Sequence, residues 1–225
     1  MAEFASSETE TAIIYKLMIG AIVPRPIAWV STVGADGVSN LAPFSFFNGV
    51  SHNPPTVAFS VIDRDGELKD TSRNIEAHAE FIVHIVNESL SERMNITCGD
   101  YGAHIDEFAE AGLTPVPGTV VGVPRIVEAQ VAMECRVSHL LRIGNPPTTS
   151  HILGEVLYWH IADEVLTEKG RVDANALRAV GRMGGVEYTK TQDRFAIERP
   201  VIPAEDPRSV AAYRAGLAKA PLPQN

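Results

Sequence analysis

Three short stretches of this 225-residue chain concentrate side chains able to hold a charged, flat ligand. The first is Val23-Pro24-Arg25-Pro26, which leads into an apolar, β-branched run carrying Ser31 and Thr32. The second is Asn40-Leu41-Ala42-Pro43-Phe44-Ser45-Phe46-Phe47-Asn48. The third is Arg64, followed by Lys69-Asp70-Thr71. Arg25, Arg64 and Lys69 bring positive charge, while Ser31, Thr32 and Thr71 bring hydroxyl donors. Lys69-Asp70-Thr71 also reads as a helix start, whose unpaired N–H groups and positive dipole end favour a phosphate. The aromatic stretch offers an apolar wall, stiffened by Pro43. Each patch alone has a plainer reading. Pro43 to Phe47 could be ordinary core, Lys69-Asp70-Thr71 only a helix cap, and Arg25 a solvated loop residue.

The familiar catalytic signatures are missing. No GxGxxG follows a strand, and there is no P-loop, HExxH or GxSxG elbow. The seven histidines are scattered without metal-ligand spacing, and the two cysteines, Cys98 and Cys135, are too few for a zinc knuckle or a disulfide framework. No residue is assigned here as nucleophile, acid or base. These absences do not count against a cofactor enzyme, in which the cofactor carries the chemistry and the protein supplies orientation and electrostatics. Flavin mononucleotide matches the three patches: a phosphate for the cations and the helix start, and a flat disc with a polar rim for the Ala42–Asn48 segment.

Composition narrows the class further. A net charge of −9 argues against nucleic acid, whose phosphates need a positive field. No apolar run reaches the roughly 18 residues of a membrane span. The acidic, polar start MAEFASSETETA lacks the basic and apolar regions of a secretory signal. With two cysteines suited to a reducing compartment, the expectation is a cytoplasmic protein.

The elements that must position these residues are mostly strands. Pro26–Val33, Val38–Ala42, Thr56–Ile62 and Glu80–Val86 read as strands, the first two joined by the turn Gly34-Ala35-Asp36-Gly37. Alternation from Ile126 to Leu141 predicts a long half-buried strand. Gly144-Asn145-Pro146-Pro147 breaks it before another from His151 to Val165. Helices are expected at Asp70–Ala79, in short pieces over Ser89–Gly112, at Asp173–Val180, and in the tail at Pro207–Ala218. Many strands joined by hairpins predict a mainly β fold, a closed or partly closed antiparallel barrel with peripheral helices. The expected organisation is a flexible segment 1–12, one domain 13–199, and a C-terminal extension 200–225.

Taken in order, the stretches PRPIAWVSTVGADGVSNLAPFSFFNGVSHNPPTVAFS, KDTSRNI, EFIVHIV, HILGEVLYWHI and GRMGGVEY resemble the flavin reductase-like, FMN-binding split-barrel family, in particular its flavoredoxin-like branch. The resemblance runs from Ile22 to Tyr188. It implies a split β-barrel, described for the family as six-stranded, a homodimer, and FMN near the dimer interface. By the same resemblance, phosphate and ribityl contacts fall among Arg25, Ser31, Asn48, Arg64, Lys69 and Thr71. The isoalloxazine meets Asn40, Ala42, Pro43, Phe44, Ser45 and Phe46. His151 and Arg182 close the site from a late strand or from the second subunit, and the Gly181–Gly185 run permits close backbone approach. The implied activity is NAD(P)H-dependent reduction of FMN by hydride transfer, with NAD(P)H as a transient co-substrate and a monooxygenase or an electron-donor protein as partner. The alternatives are an electron-transfer flavoprotein that retains FMN, and a non-catalytic flavin-binding protein.

Overall fold

The computed structural model describes residues 1–63 and 67–199, so Arg64 and the tail from Pro200 onward lie outside the described residues. In chain order the elements are α1 (Thr11–Ala21), β1 (Ala28–Val33), β2 (Ser39–Phe44), β3 (Phe47–His52), β4 (Pro55–Ile62), α2 (Asp70–His78), β5 (Glu80–Ile85), α3 (Ser91–Ile96), α4 (Glu107–Glu110), β6 (Pro115–Pro117), β7 (Pro124–Ile126), β8 (Val131–Gly144), β9 (Pro147–Ile161), α5 (Ala174–Leu177), β10 (Val180–Arg182) and β11 (Tyr188–Lys190). Residues 1–192 form one compact unit. The described residues beyond it, 193–199, lie in no helix or strand.

Seven strands make one antiparallel sheet in the order β2-β1-β5-β8-β9-β4-β3. The reason lies in strands that are apolar on both faces. In β1, Ala28 and Val30 point to one side and Trp29 to the other. In β5, Phe81 and Val83 oppose Ile82 and His84. The first set joins Phe44, Phe59, Met133, Ile152 and Val156 in a core inside the curled sheet. On the outer side, Trp29 packs with Leu90, Met94 and Phe108 under the α3–α4 segment, and Ile82 packs with Val121 and Val123.

The sheet curls far enough for edge strand β2 to meet β4, the strand next to the other edge. Phe44, on edge strand β2, packs against Phe59 of β4 with ring centroids 5.3 Å apart, and Phe59 meets Phe81 edge-on at the same separation. Because β2 and β4 are not ladder neighbours, side chains and not backbone hydrogen bonds make this closure. Gly154 on β9 gives Phe81 its room, since a Cβ there would collide with the ring.

The mainly β architecture with peripheral helices is as expected, and most expected strands are present. Several features differ. The sheet has seven strands, because β3 adds an edge. β3 is almost wholly exposed, so it carries no alternation to read. α1 buries no residue and shows no amphipathic stripe. The long strand expected from Ile126 begins at Val131, since Pro124–Ile126 pairs with Pro115–Pro117 instead.

His84 pins that small ribbon to the sheet. Its Nδ1 lies 3.0 Å from the Trp29 carbonyl, and the Ile126 N–H donates to its Nε2 at 3.0 Å. These partners require a neutral ring with the proton on Nδ1, because a protonated Nε2 would face the Ile126 N–H. Full burial pushes the pKa down to about 4. The unfolded state, with a histidine pKa of about 6.5, therefore takes up a proton that the folded state refuses. The His84 contribution is complete above that value and is lost as pH falls from about 6.5 toward 4, reaching about 3 kcal/mol. Urea unfolding at pH 7 and pH 5 is expected to give a lower stability at pH 5, with a smaller loss in His84→Gln. Equal losses in the two proteins would remove His84 as the cause.

Candidate functional site

The outer edge of β2, the start of α2 and the loop after α3 enclose a cleft of about 280 Å³. Asn40, Ala42, Pro43 and Phe44 form the strand wall. Lys69, Asp70, Thr71 and Arg73 form the helix wall. Thr97–Tyr101 and Glu107 form the third side. Past Asn40 and Glu107 the cleft continues into a second hollow of about 300 Å³ beside the β1–β2 turn.

Each wall is fixed by polar contacts. The Asn40 amide donates to Thr71 Oγ1 at 3.0 Å and to Thr32 Oγ1 at 3.2 Å, and Asn74 donates to the same Thr32 oxygen at 3.0 Å. This buried network ties α2 to the β1–β2 hairpin. Lys69 occupies the position before the first helical residue with an extended backbone and makes no side-chain capping bond. The first-turn N–H groups are thus left without a cap from that residue. Asp70 pairs with Arg73. On the third side, Trp29 Nε1 donates to Thr97 Oγ1 at 2.9 Å, which donates onward to the Met94 carbonyl at 2.8 Å. Glu107 is buried and accepts the Leu41 N–H at 3.1 Å, and burial raises its pKa.

Of the residues singled out in the sequence, Asn40, Ala42, Pro43, Phe44, Lys69 and Thr71 meet in this cleft. The other described ones lie elsewhere in the single chain. Ser31 is fully buried and donates to the Pro124 carbonyl at 2.7 Å. The Phe46 carbonyl accepts the Ser60 N–H, and exposed Asn48 pairs with Ala58 in the β3–β4 ladder. His151 Nδ1 lies 2.8 Å from Ser60 Oγ. Arg182 lies over the Tyr188 ring, 4.4 Å from its centroid, and donates to the Gly185 carbonyl. Ser45 accepts from Arg25 Nε at 3.2 Å. Arg73, Thr97–Tyr101 and Glu107 are cleft residues that the sequence did not assign to the site, and Asp70 is one it named only within the helix start. Thr97–Tyr101 and Glu107 carried no motif.

Residues 19–176 match the flavin reductase like domain. The chain belongs to the flavin reductase-like family. An uncharacterised protein of Aquifex aeolicus (strain VF5) is 42% identical over 190 residues, 84% of this chain and 95% of its own length. Nitrilotriacetate monooxygenase component B from Bacillus cereus superposes with a TM-score of 0.85 at 37% identity, covering 88% of this chain and 98% of that one. Flavoredoxin of Desulfovibrio vulgaris (Miyazaki F) superposes with a TM-score of 0.68 at 25% identity, covering 87% and 97%. The fold is the split barrel of this family, and the side-chain closure between β2 and β4 is where this barrel lacks a ladder.

The cleft fits the family's flavin in chemistry. A helix start flanked by Lys69 and Thr71 suits a phosphate, and Ala42, Pro43 and Phe44 suit a flat apolar ring. Its volume falls just under the roughly 300–1,000 Å³ usual for small-molecule sites, and the adjoining hollow adds to it.

Arg25 has a different assignment from the cleft residues. Its guanidinium donates to the Ile19 and Ile22 carbonyls at the end of α1, at 2.6 and 2.8 Å, and to the Met183 carbonyl at 2.9 Å. Its backbone pairs with Arg182 in both directions. Burial, and next the nearby Arg182 charge, lower its pKa. A lysine offers a point charge and cannot span these partners. Arg25→Lys is expected to lower stability by about 2–4 kcal/mol, read by thermal unfolding. An unchanged melting temperature would contradict the clamp.

Proposed function

We propose that this flavin reductase-like chain binds FMN in the β2–α2 cleft, reduces it with NAD(P)H, and supplies reduced flavin to a partner monooxygenase. The observation that carries this reading is the meeting, across one cleft, of the start of α2, which the Lys69 side chain does not cap, and an apolar strand wall. The likeness to a monooxygenase component B supports the choice of partner.

In this reading Lys69, Thr71 and the first-turn N–H groups of α2 hold the phosphate, and Ala42, Pro43 and Phe44 face the ring. Asn40 fixes both walls. Its amide donors are committed to Thr32 and Thr71, which keeps the Thr71 hydroxyl in place. Glu107 puts a carboxyl on the cleft that takes on charge less readily than an exposed glutamate. FMN, when bound, supplies the two-electron chemistry, taking electrons from NAD(P)H. The chain's own residues bind it, orient it and shield it from water.

A further wall of the site is assigned to a second copy of the chain. α1 leaves Ile13, Tyr15, Leu17 and Met18 exposed, and the exposed apolar side chains also include Leu141 and Ile143 on β8 and Leu157, Tyr158 and Trp159 on β9. Apolar surface of this kind marks an interface. In such a homodimer Arg25, Ser31, Ser45, Phe46, Asn48, Arg64, His151 and Arg182 remain proposed contributors to flavin binding, directly or through the partner. Among the described residues no helix is long and apolar enough to cross a membrane. A location in the cytoplasm is part of the proposal.

The likeness to flavoredoxin favours a second reading, an electron-transfer protein that keeps its FMN. Visible spectra of the purified protein with FMN, recorded anaerobically before and after NADH or NADPH, separate the two. Rapid bleaching supports the reductase and names the donor. Bound flavin that stays oxidised supports the carrier or a non-catalytic binding protein, and no flavin binding removes both. Lys69→Ala is expected to weaken FMN binding by about 1.5–3 kcal/mol, the size of a charge-assisted hydrogen bond; an unchanged dissociation constant would take Lys69 out of the site. Light scattering at micromolar protein is expected to give twice the 24.3 kDa chain mass, and a monomer mass would remove the second copy.

A further inference from the structure

The start of α2 is set in place by a carboxylate outside the cleft. Asp63 follows β4, and its side chain is 6% exposed. Oδ1 accepts the Lys69 N–H at 3.1 Å and the Ser72 hydroxyl at 3.0 Å. Oδ2 accepts the Ser150 hydroxyl of β9 at 2.7 Å and Arg142 Nη1 of β8 at 3.3 Å. Arg142 also pairs with Glu76 on α2. One carboxylate therefore joins the residue before the helix, and the third residue of the helix, to two strands on the far side of the sheet. Ser72 and Ser150 are both fully buried, so these bonds are sheltered from competing water.

This strut acts on the direction in which α2 points. It takes the N–H of Lys69 and the side chain of Ser72, two groups that flank the helix start. It is a different set from the first-turn N–H groups that would meet an anion. Arg142 balances the Asp63 charge, so a fixed negative charge near the helix start does not stand uncompensated against a phosphate.

We propose that Asp63 is a positioning residue for phosphate recognition: it holds Lys69, Thr71 and the first turn of α2 in register with the Pro43–Phe44 wall. The inference rests on the reading of this cleft as an FMN site. It makes selectivity for FMN over riboflavin, which has the same ring and no phosphate, depend on a residue that touches neither.

The test compares dissociation constants for FMN and riboflavin in the full-length chain by flavin fluorescence quenching. The wild type is expected to prefer FMN. Asp63→Asn keeps the side-chain shape but replaces one acceptor oxygen with a donor. It is expected to weaken FMN at least about tenfold while riboflavin stays within about twofold. Ser72→Ala removes only the helix end of the strut, keeps a buried position compact, and is expected to lower the FMN preference several-fold even if Asp63→Asn does not fold. Equal weakening of both ligands, or an unchanged FMN preference in Ser72→Ala and in any folded Asp63→Asn, overturns the positioning role. A wild type that binds both ligands alike, or binds neither, overturns the cleft reading itself, and with it the proposal.

Discussion

A short helix whose only buried apolar side chain is Ile75 cannot be located by hydrophobic packing alone. Apolar burial is non-directional, so it would leave α2 free to slide and roll on the sheet. Directional bonds do the locating here. Asn40, Thr32, Thr71 and Asn74 fasten the helix to the β1–β2 hairpin, and Asp63 with Ser72, Ser150 and Arg142 fastens it to β8 and β9. Such networks are costly when incomplete and specific when complete. Their completeness here gives one helix end one position, which a binding site needs.

The barrel supplies the frame for those bonds. Strands apolar on both faces build an inner core and an outer layer at once, and the outer layer brings α3, α4 and the Thr97–Tyr101 loop over the edge of β2. The Trp29–Thr97 bond shows how the two layers communicate: an outward tryptophan of β1 holds a loop that walls the cleft. Loop residues on a rigid scaffold are a common way to build a site.

The central strands and α2 were legible in the sequence because burial writes a pattern. Glu80–Ile85 is apolar on both faces, and the helix after Lys69 begins and ends near its expected residues. β3 was not legible, since an exposed edge has nothing to alternate. Nor was α1, which buries nothing. The cleft was half legible. Asn40, Ala42, Pro43 and Phe44 lie together in sequence and in space, and Lys69-Asp70-Thr71 announces a helix start. Glu107 was not readable, because its partner is a backbone N–H on β2 that only the folded chain brings near. Charge alone did not reveal that the Arg25 donors are directed to the α1 carbonyls, since a backbone acceptor has no signature in the sequence.

Phe44 belongs to two structures at once. It lines the cleft, and it closes the sheet on itself against Phe59. At that seam no ladder hydrogen bonds join β2 to β4, so an opening there would cost side-chain packing and no backbone ladder. Local openings of this kind occur well below the free energy of global unfolding. A molecule seated against Phe44 binds the shut form and not the open one, so by mass action it suppresses the opening in proportion to its occupancy. Occupancy of the cleft and amide exchange along β2 and β4 are thereby two readings of a single equilibrium.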